Sequence, residues 1–116
     1  MQVQLVLTWC RNLVAASTTH AKDMAKRGYY EHDTPEGRDP TDRAVTSGYG
    51  GGVGDNIAAL QESVVEVMDA WMHSTGHREN ILDPSYIHFG FGIAPGQYGG
   101  RTGYYWVQNF GGDGIC

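Results

Sequence analysis

The side chains best suited to acid–base or metal chemistry are five histidines in a chain of 116 residues: His20, His32, His73, His77 and His88. A neutral imidazole can hold a metal ion or move a proton near neutral pH. His73 and His77 stand at i and i+4, a spacing that places two imidazoles on one helical face, as zinc sites require. Zinc proteases with this spacing have Glu after the first histidine, where this chain has Ser74, and we expect Gly76 to end the helix before His77. A zinc site made by this pair alone is therefore disfavoured.

Two of the other histidines are predicted to be structural. His20 falls on the apolar face of a predicted helix, where a hydrogen-bonded core histidine is the commoner case. His88 alternates with glycines in a predicted strand and has no second ligand nearby in the sequence. We therefore expect His88 to be structural or simply exposed.

Covalent catalysis is also disfavoured, although Ser74, His77 and Asp55 have the residue types of a serine triad. The sequence has no G-x-S-x-G turn to present a serine nucleophile. Its glutamates lie in polar surroundings that are typical of solvated faces, so a pair of carboxylates for glycoside hydrolysis is not indicated.

Three helices are predicted to position these groups. Apolar residues recur at three- and four-residue steps over residues 9–27, and Gly28 follows as a stop signal. Residues 41–47 form a short helix after Asp39 and Pro40, which suit an N-cap and a first helical position. A capping box over residues 63–66 starts a second long helix, which we expect to end near Gly76.

A β-hairpin is predicted at the end of the chain. Residues 87–93 alternate between large apolar side chains and His or Gly, which is the pattern of a strand. Residues 104–110 form a second β-prone run, and residues 95–103 between them are rich in turn formers. Helices followed by a terminal hairpin indicate an α+β fold.

Length and charge limit the classes of function. The length and the 41% hydrophobic content fit one globular domain over residues 1–116. A net charge of −5 disfavours nucleic acid as a partner, and no apolar run reaches the roughly 20 residues of a membrane span. The N-terminal residues lack the pattern of a signal peptide.

The cysteine content leaves two alternatives. Cys10 and Cys116 are the only cysteines, and no C-x-x-C motif indicates a zinc knuckle or a redox pair. A disulfide between them and two free thiols are both compatible with the sequence.

Three strings in the sequence resemble the CAP superfamily of cysteine-rich secretory, antigen-five and pathogenesis-related proteins, in its short microbial or fungal SCP-domain branch. They lie at residues 20–32 (HAKDMAKRGYYEH), 54–58 (GDNIA) and 71–84 (WMHSTGHRENILDP), and YWVQNF at 105–110 completes the pattern. The resemblance implies a three-layer α-β-α sandwich with a central antiparallel sheet. It also implies secretion to the extracellular space and a chain that lacks the family's first N-terminal helix.

The resemblance further implies a cleft of two histidines and two acidic residues. His32 and His77 match the two histidines, Asp55 stands where the family has Glu, and Ser74 occupies the other acidic position. His32, Asp55 and His77 would make a metal site for a divalent cation with one carboxylate fewer than the family's cleft, and Zn²⁺ is favoured over Mg²⁺ or Ca²⁺. Alternatively, the histidines only hydrogen-bond Asp55 and tie loops to the sheet.

The function that follows is a secreted, monomeric binding protein whose ligand is a lipid, a sterol or a group on a cell surface. The alternative is a metal-dependent hydrolase of peptides, esters or phosphodiesters, in which His32 and His77 hold the ion and Asp55 acts as ligand or base. A third possibility is an interaction module whose cleft is inert.

Overall fold

The computed structural model describes residues 7–116, which contain four helices and four strands. In order, they are β1 (Thr8–Trp9), α1 (Arg11–Arg27), α2 (Pro40–Thr46), β2 (Val53–Ala59), α3 (Val64–Met72), α4 (Thr75–Leu82), β3 (His88–Tyr98) and β4 (Arg101–Gly111). The expectations about a signal peptide and a missing first helix concern residues 1–6, which lie outside the described residues.

The strands form one sheet in the order β1-β3-β4-β2. β4 pairs antiparallel with both β3 and β2, and the short β1 pairs parallel with β3 at His88 and Phe89, so the sheet is mixed. Helix α1 packs on one face of the sheet against β3 and β4, and α3 packs on the other through Trp71 and Trp106. The predicted α+β class and sandwich are confirmed.

The predicted hairpin is confirmed, but its predicted long connection is wrong. β3 continues to Tyr98 and β4 begins at Arg101, so only Gly99 and Gly100 form the turn, both with positive φ. Pro95 lies inside β3, opposite Tyr104. It is tolerated because β1 borders β3 only at its start, which leaves this end of β3 as a sheet edge where a missing N–H costs no ladder hydrogen bond.

Glycines on β3 let helix α1 approach the sheet closely. Gly90 and Gly92 face α1, and a Cβ at either position would overlap the α1 backbone, at Leu13 and at Ser17 respectively. The alternation of glycine with large apolar residues in this strand therefore has a packing cause.

The predicted end of the second long helix at Gly76 is wrong. α3 ends at Met72, with His73 at its C-cap, and α4 then starts after Ser74. Gly76 falls in the first turn of α4, where an added Cβ would meet no other atom within 4 Å. None of the residues of α4 is fully buried, so this helix lacks the apolar periodicity by which helices are recognised.

The chain is closed on itself by a disulfide between Cys10 and Cys116, whose Cα atoms lie 5.0 Å apart. Cys10 is fully buried with Leu13, Ala44 and Tyr49. The disulfide resolves the two alternatives that the sequence left open for the cysteines.

Candidate functional site

Asp55 is the centre of the candidate site. It lies on β2, its side chain is only 4% exposed, and its Oδ2 is 2.7 Å from Nδ1 of His32. Its other oxygen, Oδ1, accepts a hydrogen bond of 2.7 Å from the Nδ2 amide of Asn109 on β4. The carboxylate is therefore held on both oxygens, and the hydrogen bond to Asp55 raises the pKa of His32.

A buried arginine completes this cluster. Arg43 of α2 is 6% exposed, donates from NH1 to the backbone oxygen of His32 over 2.7 Å, and places NH2 3.7 Å from Oδ2 of Asp55. Its Nε and NH2 atoms are buried without a hydrogen-bond partner within residues 7–116. Burial lowers the pKa of Arg43, and the charge of Asp55 opposes that effect.

His77, the second histidine of the predicted site, forms no hydrogen bond or ion pair with Asp55 or His32 in the part of the chain that the structure describes. Its Nδ1 lies 2.8 Å from Oγ of Ser74, so serine and histidine are paired here without the carboxylate that a triad needs. Burial lowers the pKa of His77, the charge of His32 lowers it further, and the charge of Asp55 opposes both effects.

Two asparagines attach α4 to the strand that carries Asp55. Asn56 of β2 donates to the backbone oxygen of His77 over 3.1 Å. Asn80 of α4 donates to Oδ1 of Asn56 over 2.9 Å and to the backbone oxygen of Asp55 over 3.3 Å. These amides fix where His77 stands relative to Asp55.

The donor set does not fit a three-ligand metal site in this arrangement. Both oxygens of Asp55 already contact protein donors, and the described part of the chain contains no group of three or more His, Cys, Asp or Glu side chains that could hold a metal ion. A divalent cation at His32, Asp55 and His77 stays a prediction.

The remaining histidines have structural partners. Buried His20 donates from Nε2 to the backbone oxygen of Glu31 over 2.8 Å, and His88 is hydrogen-bonded through Nδ1 to the hydroxyl of Tyr49 over 2.8 Å. Both predictions are confirmed. His73 donates a hydrogen bond from Nδ1 to the backbone oxygen of Asp69 in α3 and does not pair with His77.

Arg43, Asn56, Asn80 and Asn109 were not among the predicted site residues. A signal was available for Asn109, because it interrupts a β-prone run and a buried amide needs a specific partner. Arg43 in a short polar helix carries no such signal.

An open apolar groove of about 440 Å³ lies on the opposite face of the sheet, between α3, β1 and β3. Its lining residues are Leu7, Trp9, Val64, Met68, Ile81, Phe89, Phe91, Phe110 and one polar residue, Gln108. Trp9 is 56% exposed and packs edge-on against Phe89, with ring centroids 5.0 Å apart. The groove contains no charged side chain and leaves aromatic surface open to solvent.

The family model described as "CAP: Cysteine-rich secretory protein family" matches residues 4–110. The chain belongs to the CAP family. This CAP chain is 35% identical over 99 residues to the uncharacterized protein YkwD of Bacillus subtilis, an alignment that covers 84% of this chain and 36% of YkwD. The chain thus spans about a third of the length of that relative.

Two solved structures share the fold. One is an extracellular protein containing a SCP domain from Bacillus anthracis, with a TM-score of 0.71 and 30% identity over 90% of this chain and 33% of that chain. The other is an outer surface protein from Borrelia burgdorferi, with a TM-score of 0.74 and 16% identity over 95% of this chain and 77% of that chain. In the CAP chain itself, none of the helices among residues 7–116 is long and apolar enough to cross a membrane.

Proposed function

We propose that this CAP domain acts outside the cell as a binding module, and that the apolar groove holds the hydrocarbon part of a lipid or sterol. The apolar groove is the main support for this proposal. It exposes aromatic surface, and its volume falls within the range of small-molecule sites, roughly 300–1,000 Å³. Apolar surface of this kind left open to water favours a hydrophobic ligand over a charged one.

Two observations support an extracellular location. The disulfide is of the kind that persists in oxidising compartments and is rare in the cytosol. The solved structure from Bacillus anthracis, 30% identical to this chain, is of an extracellular protein. Groups on a cell surface remain a second class of ligand for the same module.

The experiment compares two neighbouring valines of α3. Val64 lines the groove and is 57% exposed, whereas Val65 is 79% exposed and does not line it. Fluorescent cis-parinaric acid and dehydroergosterol are titrated into the wild type, Val64→Glu and Val65→Glu, which add the same charge to the same helical turn.

We expect saturable binding of one probe that Val64→Glu weakens about tenfold, since a carboxylate must be desolvated beside the ligand, and that Val65→Glu leaves unchanged. The probe that binds distinguishes an acyl chain from a sterol. Equal effects of the two substitutions, or no binding of either probe, would contradict the proposal.

Cation binding, with or without hydrolase activity, is a separate candidate function for the side of the sheet where His32 lies. It rests on two imidazoles, His32 and His77, that both use Nδ1 for protein contacts, although Asp55 would have to release a donor to join them. Calorimetric titration of Zn²⁺ and Mg²⁺ at pH 7.5 and near pH 5 tests it, with His32→Ala and His77→Ala as variants and the exposed His73→Ala as control.

The expected result for a cation site is saturable binding that acid and both cleft substitutions remove and that His73→Ala preserves. Turnover of a peptide, ester or phosphodiester that His77→Ala abolishes in a folded protein would favour the hydrolase. If His32→Ala changes only stability and no ion binds, the cleft is an inert part of the scaffold.

A further inference from the structure

A cleft on the α1 side of the molecule collects most of the positive charge of an acidic chain. This basic cleft, of about 430 Å³, lies between α1, the loop after it and α2. Five of the eight Lys and Arg residues line it: Lys22, Lys26, Arg27, Arg38 and Arg43. Only two of the thirteen Asp and Glu residues do so, although the net charge of the chain is −5.

One arginine forms ion pairs with both carboxylates that line the basic cleft. Arg27 donates from Nε and NH2 to the two oxygens of Asp23, over 3.0 and 2.9 Å, and from NH1 to Glu36 over 2.6 Å. No salt bridge within residues 7–116 reaches Lys22, Lys26 or Arg38. Nη2 of Arg38 does donate to the backbone oxygen of Asp42 and to Oγ1 of Thr46, but no carboxylate of these residues neutralises its charge. All three cations are exposed and can contact a negatively charged ligand.

The innermost cation, Arg43, is buried with incomplete compensation. The carboxylate nearest its guanidinium is that of Asp55, whose Oδ2 lies 3.7 Å from Nη2 and also contacts His32; the charges of Asp33 and Asp39 act on it from farther away. Buried guanidinium groups are normally paired and hydrogen-bonded, yet Nε and Nη2 of Arg43 have no hydrogen-bond partner among residues 7–116. The inner wall of the basic cleft thus carries a guanidinium whose hydrogen-bonding capacity is only partly used.

The arrangement favours a group with several charged oxygens. Lys22 and Lys26 lie one turn apart on α1, Arg38 lies in the loop before α2, and the hydroxyl-bearing side chains of Thr19 and Thr34 also line the cleft. Separate cationic donors on two segments suit a tetrahedral phosphate, whereas a planar carboxylate is best matched by one arginine fork. The volume leaves room for an organic group beside the phosphate.

We propose that the basic cleft binds a phosphate monoester or diester, with Lys22, Lys26 and Arg38 contacting its oxygens and the guanidinium of Arg43 adding positive charge at the inner wall. The site is independent of the apolar groove, which lies on the other face of the sheet. The phosphate could belong to a soluble metabolite or to a lipid headgroup.

The test uses the disulfide-bonded chain at low ionic strength. Inorganic phosphate and glycerol 3-phosphate are titrated by calorimetry into the wild type and into the double variant Lys22→Gln/Arg38→Gln, with acetate as the comparison anion. Arg101→Gln is the matched control, because Arg101 is exposed and stands at the hairpin turn, outside the cleft.

We expect one-site binding of at least one phosphate compound, stronger than that of acetate, which the double variant weakens by roughly tenfold or more because two charge-assisted hydrogen bonds are lost. Arg101→Gln should leave the affinity within about twofold, and added salt should weaken binding. Absence of saturable phosphate binding, or equal losses in the double variant and Arg101→Gln, would overturn the proposal.

Flotation with vesicles separates the two sources of the phosphate. Binding to phosphatidylglycerol vesicles but not to phosphatidylcholine vesicles, lost in the double variant, would support a lipid headgroup. Binding of glycerol 3-phosphate without vesicle binding would support a soluble ligand. Thermal melts of each variant confirm that a loss of binding is not a loss of fold.

Discussion

Replacing Asp55 by Asn tests whether this carboxylate holds the candidate site together. Asparagine keeps the size of the side chain and can still accept the hydrogen bond from Asn109. It removes the negative charge that His32 and Arg43 share. The substitution therefore changes the electrostatics of the cluster with little change in packing.

The expected cost lies between two limits. Removing one partner of a buried ion pair costs about 3–5 kcal/mol, whereas an exposed pair contributes about 1 kcal/mol or less. Asp55 is buried, but the His32 side chain is 53% exposed and Arg43 stands 3.7 Å away, so both contributions are reduced. We expect Asp55→Asn to lower the free energy of unfolding by about 2–3 kcal/mol and the Tm by about 8–12 °C.

The loss should also depend on pH. The folded-state pKa of His32 is raised above its ordinary value of 6.5, mainly by the hydrogen bond to Asp55. The stability that this contact supplies is therefore fully present below pH 6.5 and is lost as pH rises through the raised folded-state pKa. Asp55→Asn should remove this part of the pH profile.

Urea unfolding at several pH values between 5 and 8.5 measures both effects. The variants are Asp55→Asn, His32→Ala and their combination, so that the coupling energy of the pair is separated from other effects of each substitution. His73→Ala controls for the loss of an exposed imidazole. A loss below about 0.5 kcal/mol, or a coupling energy that is the same at pH 5 and pH 8.5, would refute the reasoning.

Two further substitutions test features that shape the fold. Cys116→Ser removes the disulfide that closes a loop with a sequence separation of 106 residues. It should lower the free energy of unfolding by about 4–5 kcal/mol in the loop-entropy treatment. A loss below about 1 kcal/mol in urea unfolding would contradict this expectation. Gly92→Ala should destabilise by about 2 kcal/mol or more because the added Cβ meets the backbone at Ser17, while Gly76→Ala, which meets nothing, should be neutral or stabilising by up to about 1 kcal/mol. Similar melting temperatures for these two glycine variants would show that the close approach of α1 is not needed.

Regular patterns in the sequence were enough to find α1 and the β3–β4 hairpin. Apolar residues on one face and Gly28, which adopts a positive φ of 70° at the C-cap, define the end of α1. β2 was not predicted, because Gly54, Asp55 and Asn56 suit turns better than strands. The strand forms there because Asn109 and Asn80 satisfy those polar side chains, which only the folded chain brings together.

The candidate site was predictable only in part for the same reason. His32 and Asp55 were identified from a motif resemblance, and their direct contact fits it. The position of His77 depends on the break between α3 and α4, which no local pattern marked. Arg43 acquires its position from the packing of α2 against α1 and β2.

The pairing of Cys10 with Cys116 affects how the domain would respond to a protease. Every loop between α1 and β4 lies between these two residues in sequence, including the glycine-rich stretch 48–54. A single cut in any of them yields two pieces that stay covalently attached through the sulfurs and can remain packed together. The nicked domain would keep its mass on a non-reducing gel and divide into two bands only after reduction.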